Sequence, residues 1–317
     1  MKAVFLDYAT MGPGLDLHPL RSLLPELEVF DDTDDDQVIA RIGDAEFVFA
    51  NKIRLTHELL DSAAEIRFIG LTATGTDNID VEAARQHGVA VCNIRAYCTQ
   101  SVVEHVFGLL LTLTHSLNRY AAAVRAGDWQ RAPDFCILKF PIRELSAMTL
   151  GIVGYGTLGQ GVAGIAQAFD MKVLVAVRPG SDTVDDDRVS FEELLERSDV
   201  VSLHCPLNEQ THKLFDAAAF AKMKDGAILI NTARGGLVDS AALVDALQSG
   251  HLAGAAIDVL PEEPPARGDP ILDYKSDNLV VTPHIAWASN EARQNSIDEL
   301  AANVEAFLAG EERNRVV

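Results

Sequence analysis

The stretch "LGIVGYGTLGQGVAGIAQAFDMKVLVAVRPGSD", residues 150–182, decides the fold of this 317-residue chain. An apolar run ending at Val153 enters a turn whose glycines, Gly154, Gly156 and Gly159, follow the pattern G-x-G-x-x-G. A helical pattern leaves the turn and a second strand-like run, KVLVAV, follows it, which makes a β-α-β unit. Each glycine has a task there: Gly154 for the tight turn, Gly156 for close approach of backbone to a phosphate, Gly159 for helix-on-strand packing. The turn opens a helix, and the bare N–H groups of a helix N-terminus receive a pyrophosphate. The unit therefore reads as a dinucleotide-binding fold.

Its far end departs from the pattern. An acidic residue usually stands about 20 residues on, where it accepts hydrogen bonds from the adenosine ribose. Here that place is Val177, which accepts nothing. Arg178 beside it, with the turn Pro179-Gly180 and the hydroxyl of Ser181, suits a 2′-phosphate through charge-assisted hydrogen bonds. NADP(H) is the preferred coenzyme on this reading, and NADH stays open because Asp182 is near enough to turn toward a ribose.

Working outward, strand-like runs at 4–7, 46–50, 66–71 and 89–94 alternate with helical patterns before this unit, and GIVG, KVLVAV, DVVSLH, AILINT, AGAAIDV and NLVVTP continue the rhythm within and beyond it. Such alternation predicts two Rossmann-like or flavodoxin-like α/β domains with doubly wound parallel sheets and a cleft between them. Residues 99–124 read as one buried helix of about seven turns joining the domains. A last helical pattern from Ala288 returns to the first domain. The expected division is a discontinuous substrate domain, 1–98 plus 288–317, and a dinucleotide-binding domain, 99–287.

Bulk properties narrow the function. With 48% hydrophobic residues the chain can bury a core without a metal or disulfide. A formal net charge of −21 opposes binding to a nucleic-acid backbone. No apolar run approaches the roughly 18 residues of a membrane span. The acidic runs at 31–36 and 185–187 lack partner His or Cys and read as solvated loops, so no metal is expected. The four cysteines form no C-x-x-C pair, and MKAVFLDYA reads as a first strand, so the expected compartment is the cytoplasm. Tyr97, Cys98, Trp129 and Phe135 either line the cleft or pack, and packing is the expectation from the usual burial of such residues.

Three polar residues fall just beyond strands of the second domain: Arg234, Glu263 and His284. Open α/β sheets bind ligands at the carboxyl ends of their strands. An Arg to clamp a carboxylate and polarise a carbonyl, a His to exchange a proton, and a Glu to orient the His and favour its charged form suit hydride transfer at a 2-keto or 2-hydroxy acid. Tyr155, Thr157 and Leu158 of the glycine loop, and Cys205, Pro206, Thr211, Thr232 and Ala233 near later strand ends, are further candidates for the dinucleotide.

"GIVGYGTLGQG", "LINTARGGLVD", "IDVLPEEPP" and "TPHIAWAS" together resemble the D-isomer-specific 2-hydroxyacid dehydrogenase family, in its order and spacing, over essentially the whole chain. The resemblance implies an oxidoreductase acting on the CH–OH group of donors, with Arg234 as substrate-binding arginine, Glu263 as its acid partner and His284 as acid/base. It implies that Asp258 holds the nicotinamide carboxamide, that the loop "ATGTDNID" receives the substrate carboxylate at Thr74 and Gly75, and that "ANKIRLT" around Asn51 is a second wall. A homodimer formed through the coenzyme domains is implied as well. "HIAWAS", with Trp287, is similar to the glycerate dehydrogenases, also called hydroxypyruvate and glyoxylate reductases. Glu263 argues against formate oxidation, and Thr74 stands where phosphite dehydrogenases carry lysine. NAD(H)-dependent turnover of another 2-hydroxy acid such as phosphoglycerate, and a non-catalytic dinucleotide sensor, are the alternatives.

Overall fold

The computed structural model describes residues 1–178 and 187–317, and the chain forms two compact units, Met1–Cys98 with Ala288–Val317, and Thr99–Trp287. Pro179, Gly180, Ser181 and Asp182 lie outside the described residues, so the expectations placed on Ser181 and Asp182 have no structural counterpart.

In the first unit, β1 (Lys2–Phe5), β2 (Glu26–Val29), β3 (Phe47–Ala50), β4 (Phe68–Leu71) and β5 (Ala90–Cys92) form a parallel sheet in the order β2-β1-β3-β4-β5. The uniformly apolar FVFA and FIGL are buried along their whole length, as befits parallel strands covered on both faces. On one face Phe47 and Phe68 meet Phe307 of the helix Asn290–Leu308, and Gly70 makes room for that helix: a Cβ there would lie 2.3 Å from Leu300 Cδ1. On the other, Val4, Val48, Ile69 and Val91 pack with Val38, Leu59, Leu60 and Ala83. β2 is absent from the sequence reading because its alternating glutamates, Glu26 and Glu28, mask a half-exposed edge strand.

In the second unit, β6 (Thr149–Val153), β7 (Lys172–Val175), β8 (Val200–Leu203), β9 (Ala227–Asn231), β10 (Leu252–Ile257) and β11 (Leu279–Val281) form a parallel sheet in the order β11-β10-β9-β8-β6-β7. β6 sits between β7 and β8, so strand order reverses there. That switch point opens a crevice at the carboxyl ends of the strands.

The single long helix expected from Thr99 is broken. One helix runs Thr99–Thr114 and another Leu117–Arg125, with Ser116 between them in the left-handed region at φ 51°. Thr112 and Thr114 return their hydroxyls to Gly108 O and Leu110 O, and Ser116 Oγ bonds Pro141 O at 2.9 Å. Hydroxyls that compete for backbone acceptors favour a helix end here. The first helix buries Val102, Val103, Val106, Phe107, Leu109 and Leu110, whereas the second buries only Ala123. The expectation that Trp129 and Phe135 pack is corrected: they are 52% and 89% exposed, and Leu138 is 84% exposed. Among the described residues no helix is long and apolar enough to cross a membrane.

Candidate active site

β6 delivers the glycine loop. Gly154 has φ +96°, and a Cβ on it would stand 2.5 Å from the Cys205 nitrogen and the His204 carbonyl carbon. A Cβ on Gly159 would come within 2.1 Å of Gly154 O. Neither position admits a side chain. Gly156 differs: it caps the helix Thr157–Ala168 without a side-chain hydrogen bond, and a Cβ there meets nothing within 4 Å. Thr157 is exposed at this helix start, with Tyr155 and Leu158 partly so.

Beside the loop, after β8, His204 Nε2 lies 2.9 Å from Ser202 Oγ while its Nδ1 is buried with no partner. Burial pushes its imidazole down to about 4. After the adjacent β9, Thr232 Oγ1 is likewise buried and unpartnered. This cradle fits a nicotinamide dinucleotide: uncapped helix N–H groups face open space at Gly156, and two orphaned polar atoms sit at neighbouring strand ends. The other candidates have structural tasks. Cys205 is buried, its thiol pushed up to about 11 by burial. Thr211 spends its hydroxyl on the turn, donating to Pro206 O at 2.8 Å and accepting from Asn208 N at 2.8 Å. Ala233 N donates to Asn231 Oδ1 at 3.0 Å.

At the end of β7, Arg178 is exposed and Val177 partly buried. Val177 N donates to Val189 O, and Val189 N to Val175 O, each at 2.9 Å. These bonds carry Arg188 back to the glycine loop, where its guanidinium carbon stands 5.9 Å from the Tyr155 ring centroid. No local motif marks Arg188, so sequence reasoning passed over it.

Glu263 and His284 meet. Glu263 Oε2 lies 2.5 Å from His284 Nδ1, and Glu263 Oε1 accepts from Leu260 N at 2.8 Å. With Nδ1 committed to a carboxylate, Nε2 is the nitrogen left for proton exchange. His284 has φ 55°, held there by N–H donation to Asp258 O at 2.7 Å. The Trp287 indole donates to His284 O at 3.0 Å. Arg234 follows β9, its Nη1 bonded to Ala233 O at 2.8 Å and its carbonyl held by Asn231 Nδ2 at 2.9 Å. The next residue, Gly235, touches the Glu263 loop: a Cβ there would lie 2.0 Å from the Leu260 carbonyl carbon.

Asp258 is 2% exposed. Its Oδ1 accepts from Thr282 Oγ1 at 2.5 Å and Ile285 N at 2.9 Å, and its Oδ2 from Ala286 N at 2.9 Å. In this arrangement Asp258 clamps the backbone that carries His284. His105, unremarked in the sequence, supports it from the helix Thr99–Thr114, with Nε2 3.1 Å from Thr282 Oγ1 and 3.6 Å from Asp258 Oδ1.

In the first unit, Asn51 turns inward. It is 5% exposed and its Nδ2 donates to Thr10 Oγ1 at 3.0 Å. The buried Asp7 carboxylate accepts three successive N–H groups, from Asn51 at 2.9 Å, Lys52 at 2.6 Å and Ile53 at 3.1 Å. Lys52 is the exposed member of that loop. Asn78 Nδ2 donates to Ile53 O at 2.9 Å, tying the Asn51 loop to the one holding Thr74 and Gly75. Thr74 is exposed, and its hydroxyl donates to Ile94 O at 2.9 Å.

A nucleotide cradle, a carboxylate-oriented histidine and a loop arginine on one doubly wound sheet define a dinucleotide-dependent oxidoreductase. The chain belongs to the D-isomer specific 2-hydroxyacid dehydrogenase family, whose NAD binding domain matches residues 107–286. It is 44% identical over 282 residues to the glycerate dehydrogenase of Methylorubrum extorquens, covering 89% of this chain and 88% of that protein. It is 40% identical to the hydroxypyruvate reductase of Blautia hydrogenotrophica, covering 100% of this chain and 99% of that one. Among solved structures, an acyclic imino acid reductase in complex with NADPH and D-Arg superposes with a TM-score of 0.87 at 30% identity, over 100% of both chains. The protein is thus an oxidoreductase of the CH–OH group of 2-hydroxy acids and takes a nicotinamide dinucleotide.

Proposed function

We propose that the protein reduces hydroxypyruvate or glyoxylate to the 2-hydroxy acid with NADPH, as a cytoplasmic homodimer. The observation that carries the reading is the 2.5 Å contact between Glu263 Oε2 and His284 Nδ1. A bound reduced nicotinamide supplies the hydride. His284, oriented by Glu263, gives a proton from Nε2 to the oxygen of the former carbonyl. Arg234 holds the carboxylate and polarises the carbonyl with its planar fork of donors. We assign the keto acid also to the unit Met1–Cys98 with Ala288–Val317, through Thr74, Gly75 and the Asn51–Ile53 loop, where exposed Lys52 rather than buried Asn51 faces outward. Thr99–Trp287 is assigned to the coenzyme.

The small unbranched acceptor is supported by the glycerate dehydrogenase and hydroxypyruvate reductase relatives and by Trp287 behind the His284 loop. Val177-Arg178 supports NADPH, as does the NADPH held by the imino acid reductase of the same fold. The homodimer is supported by the exposure of Trp129, Phe135 and Leu138.

Initial rates with NADPH and NADH, each against hydroxypyruvate and glyoxylate, test the reading. His284→Ala is expected to lower kcat by about 10²–10⁴-fold with coenzyme affinity kept. Unaltered turnover removes His284 from the chemistry. Sedimentation is expected to give a dimer, and Phe135→Glu with Leu138→Glu a monomer.

A further inference from the structure

We propose that a cleft at the amino ends of β9, β10 and β11 is a second ligand site, built to hold a small oxyanion, a carboxylate or a phosphate. The cleft lies within Thr99–Trp287 and has a volume of about 270 Å³, at the low end of the volumes that hold small molecules. Gly226, Ala253 and Asn278 line it from those strand ends, whereas Arg234, Asp258 and His284 follow the carboxyl ends of the same strands. The cleft is therefore distinct from the catalytic end of the sheet. Two local irregularities shape it. Ser116, left-handed at φ 51°, ends the helix Thr99–Thr114, and the pairing of β10 with β9 shifts register between Leu252 and Gly254, which leaves Ala253 unpaired and exposed in the cleft. Residues 140–143 are stitched to the helix break by Ser116 Oγ to Pro141 O at 2.9 Å, Arg143 N to Thr114 O at 2.9 Å and Tyr120 OH to Phe140 O at 2.7 Å.

On that fixed wall the Arg119 guanidinium carbon stands 3.9 Å from the Phe140 ring centroid, and stacking restricts the head group. Yet the Arg119 side chain donates no hydrogen bond among the described residues: Nε is buried without a partner, and the ion pair with Asp277 spans 3.9 Å to a carboxylate that is 76% exposed and screened by solvent. A half-buried guanidinium whose planar fork is unspent suits an oxyanion. Arg143 adds a second cation. Its Nη2 reaches Asp199 Oδ1 only at 3.5 Å, and Asp199 already accepts from Lys224 Nζ at 2.7 Å and Thr149 N at 2.9 Å, so the arginine is surplus to that carboxylate. Asn278 accepts from the Tyr274 hydroxyl at 2.9 Å through Oδ1 and keeps its amide N–H groups. Two guanidinium groups and a neutral donor, against the single lining carboxylate of Asp277, make the cleft locally positive on a chain of net charge −21.

Isothermal titration calorimetry of the intact protein with malonate, inorganic phosphate and uncharged glycerol tests this. At least one anion is expected to bind and glycerol is not, and the tighter of the two anions names the ligand class. Arg119→Gln is expected to weaken that anion about tenfold, as suits loss of a charge-assisted contact. Ala253→Phe, which fills the cleft and leaves both arginines in place, is expected to abolish binding. Both variants should keep kcat and KM for the keto acid within about twofold of the parent, as substitutions away from the catalytic end do. No binding of either anion, or glycerol binding as tightly as the anions, overturns the site. Binding that both variants keep in full places the anion elsewhere and overturns it as well.

Discussion

Glu263 holds His284 by one carboxylate oxygen, 2.5 Å from Nδ1, and is itself held by the other, which accepts from Leu260 N at 2.8 Å. The pair is therefore tied to the chain at both ends, since the His284 N–H donates to Asp258 O at 2.7 Å. Glu263→Gln preserves size and the Leu260 bond but loses the charge that steadies a protonated imidazole. We expect kcat to fall, by less than the about 10²–10⁴-fold that loss of the acid/base itself costs, with coenzyme affinity unchanged. Steady-state kinetics check it, and an unchanged kcat would leave Glu263 a loop brace only.

Gly235 sets the distance between the Arg234 turn and the Glu263 loop. A methyl group there would lie 2.0 Å from the Leu260 carbonyl carbon and 2.4 Å from the Pro261 nitrogen, both backbone atoms that cannot rotate away. Gly235→Ala is expected to cost about 1–3 kcal/mol of stability by overpacking. Because the displaced segment carries Glu263, kcat should fall as well. Urea unfolding beside kinetics separates the two effects, and a variant as stable as the parent refutes the tight approach.

Asp7 organises the Asn51–Ile53 loop by taking three successive N–H groups on one buried carboxylate. Asp7→Asn turns part of that acceptor into a donor facing other donors. Leaving buried N–H groups unmatched costs about 1–3 kcal/mol. Amide hydrogen exchange at residues 51–53 should accelerate, and KM for the keto acid should rise while coenzyme affinity holds. Loop protection equal to that of the parent would contradict the assignment.

His204 predicts a pH effect on stability. Burial lowers its imidazole from 6.5 to about 4. Above pH 6.5 neither state carries the proton and nothing is lost; as pH falls from 6.5 toward 4 the unfolded chain binds a proton that the native state refuses, so stability drops across that window. The loss is at most about 3 kcal/mol. Unfolding at pH 7.5 and pH 5 should show a smaller drop for His204→Gln than for the parent, and identical drops would mean that His204 is protonated in the native state.

Much of the fold was legible because its signals are local. Uniformly apolar tetrads such as FVFA and FIGL announce strands buried on both faces, and the glycine spacing from Gly154 to Gly159 announces the turn. β2 and the helix break at Ser116 escaped for equally local reasons: two glutamates disguise an edge strand, and hydroxyls competing for helix carbonyls leave no gap in an apolar pattern. At the site, the motifs named Arg234, Glu263 and His284 by residue type, but nothing in their spacing reports a side-chain distance.

By itself the sequence determined the parallel α/β class, the dinucleotide cradle and the family, because these follow from periodicity and from motifs a few residues long. Tertiary structure decided that Glu263 and His284, 21 residues apart, share a 2.5 Å contact, that Asn51 faces inward while Lys52 stays exposed, and that Arg188 returns to Tyr155. Each depends on the register in which distant segments pair, and that register is set by the packing of whole sheets and helices, which no short stretch contains.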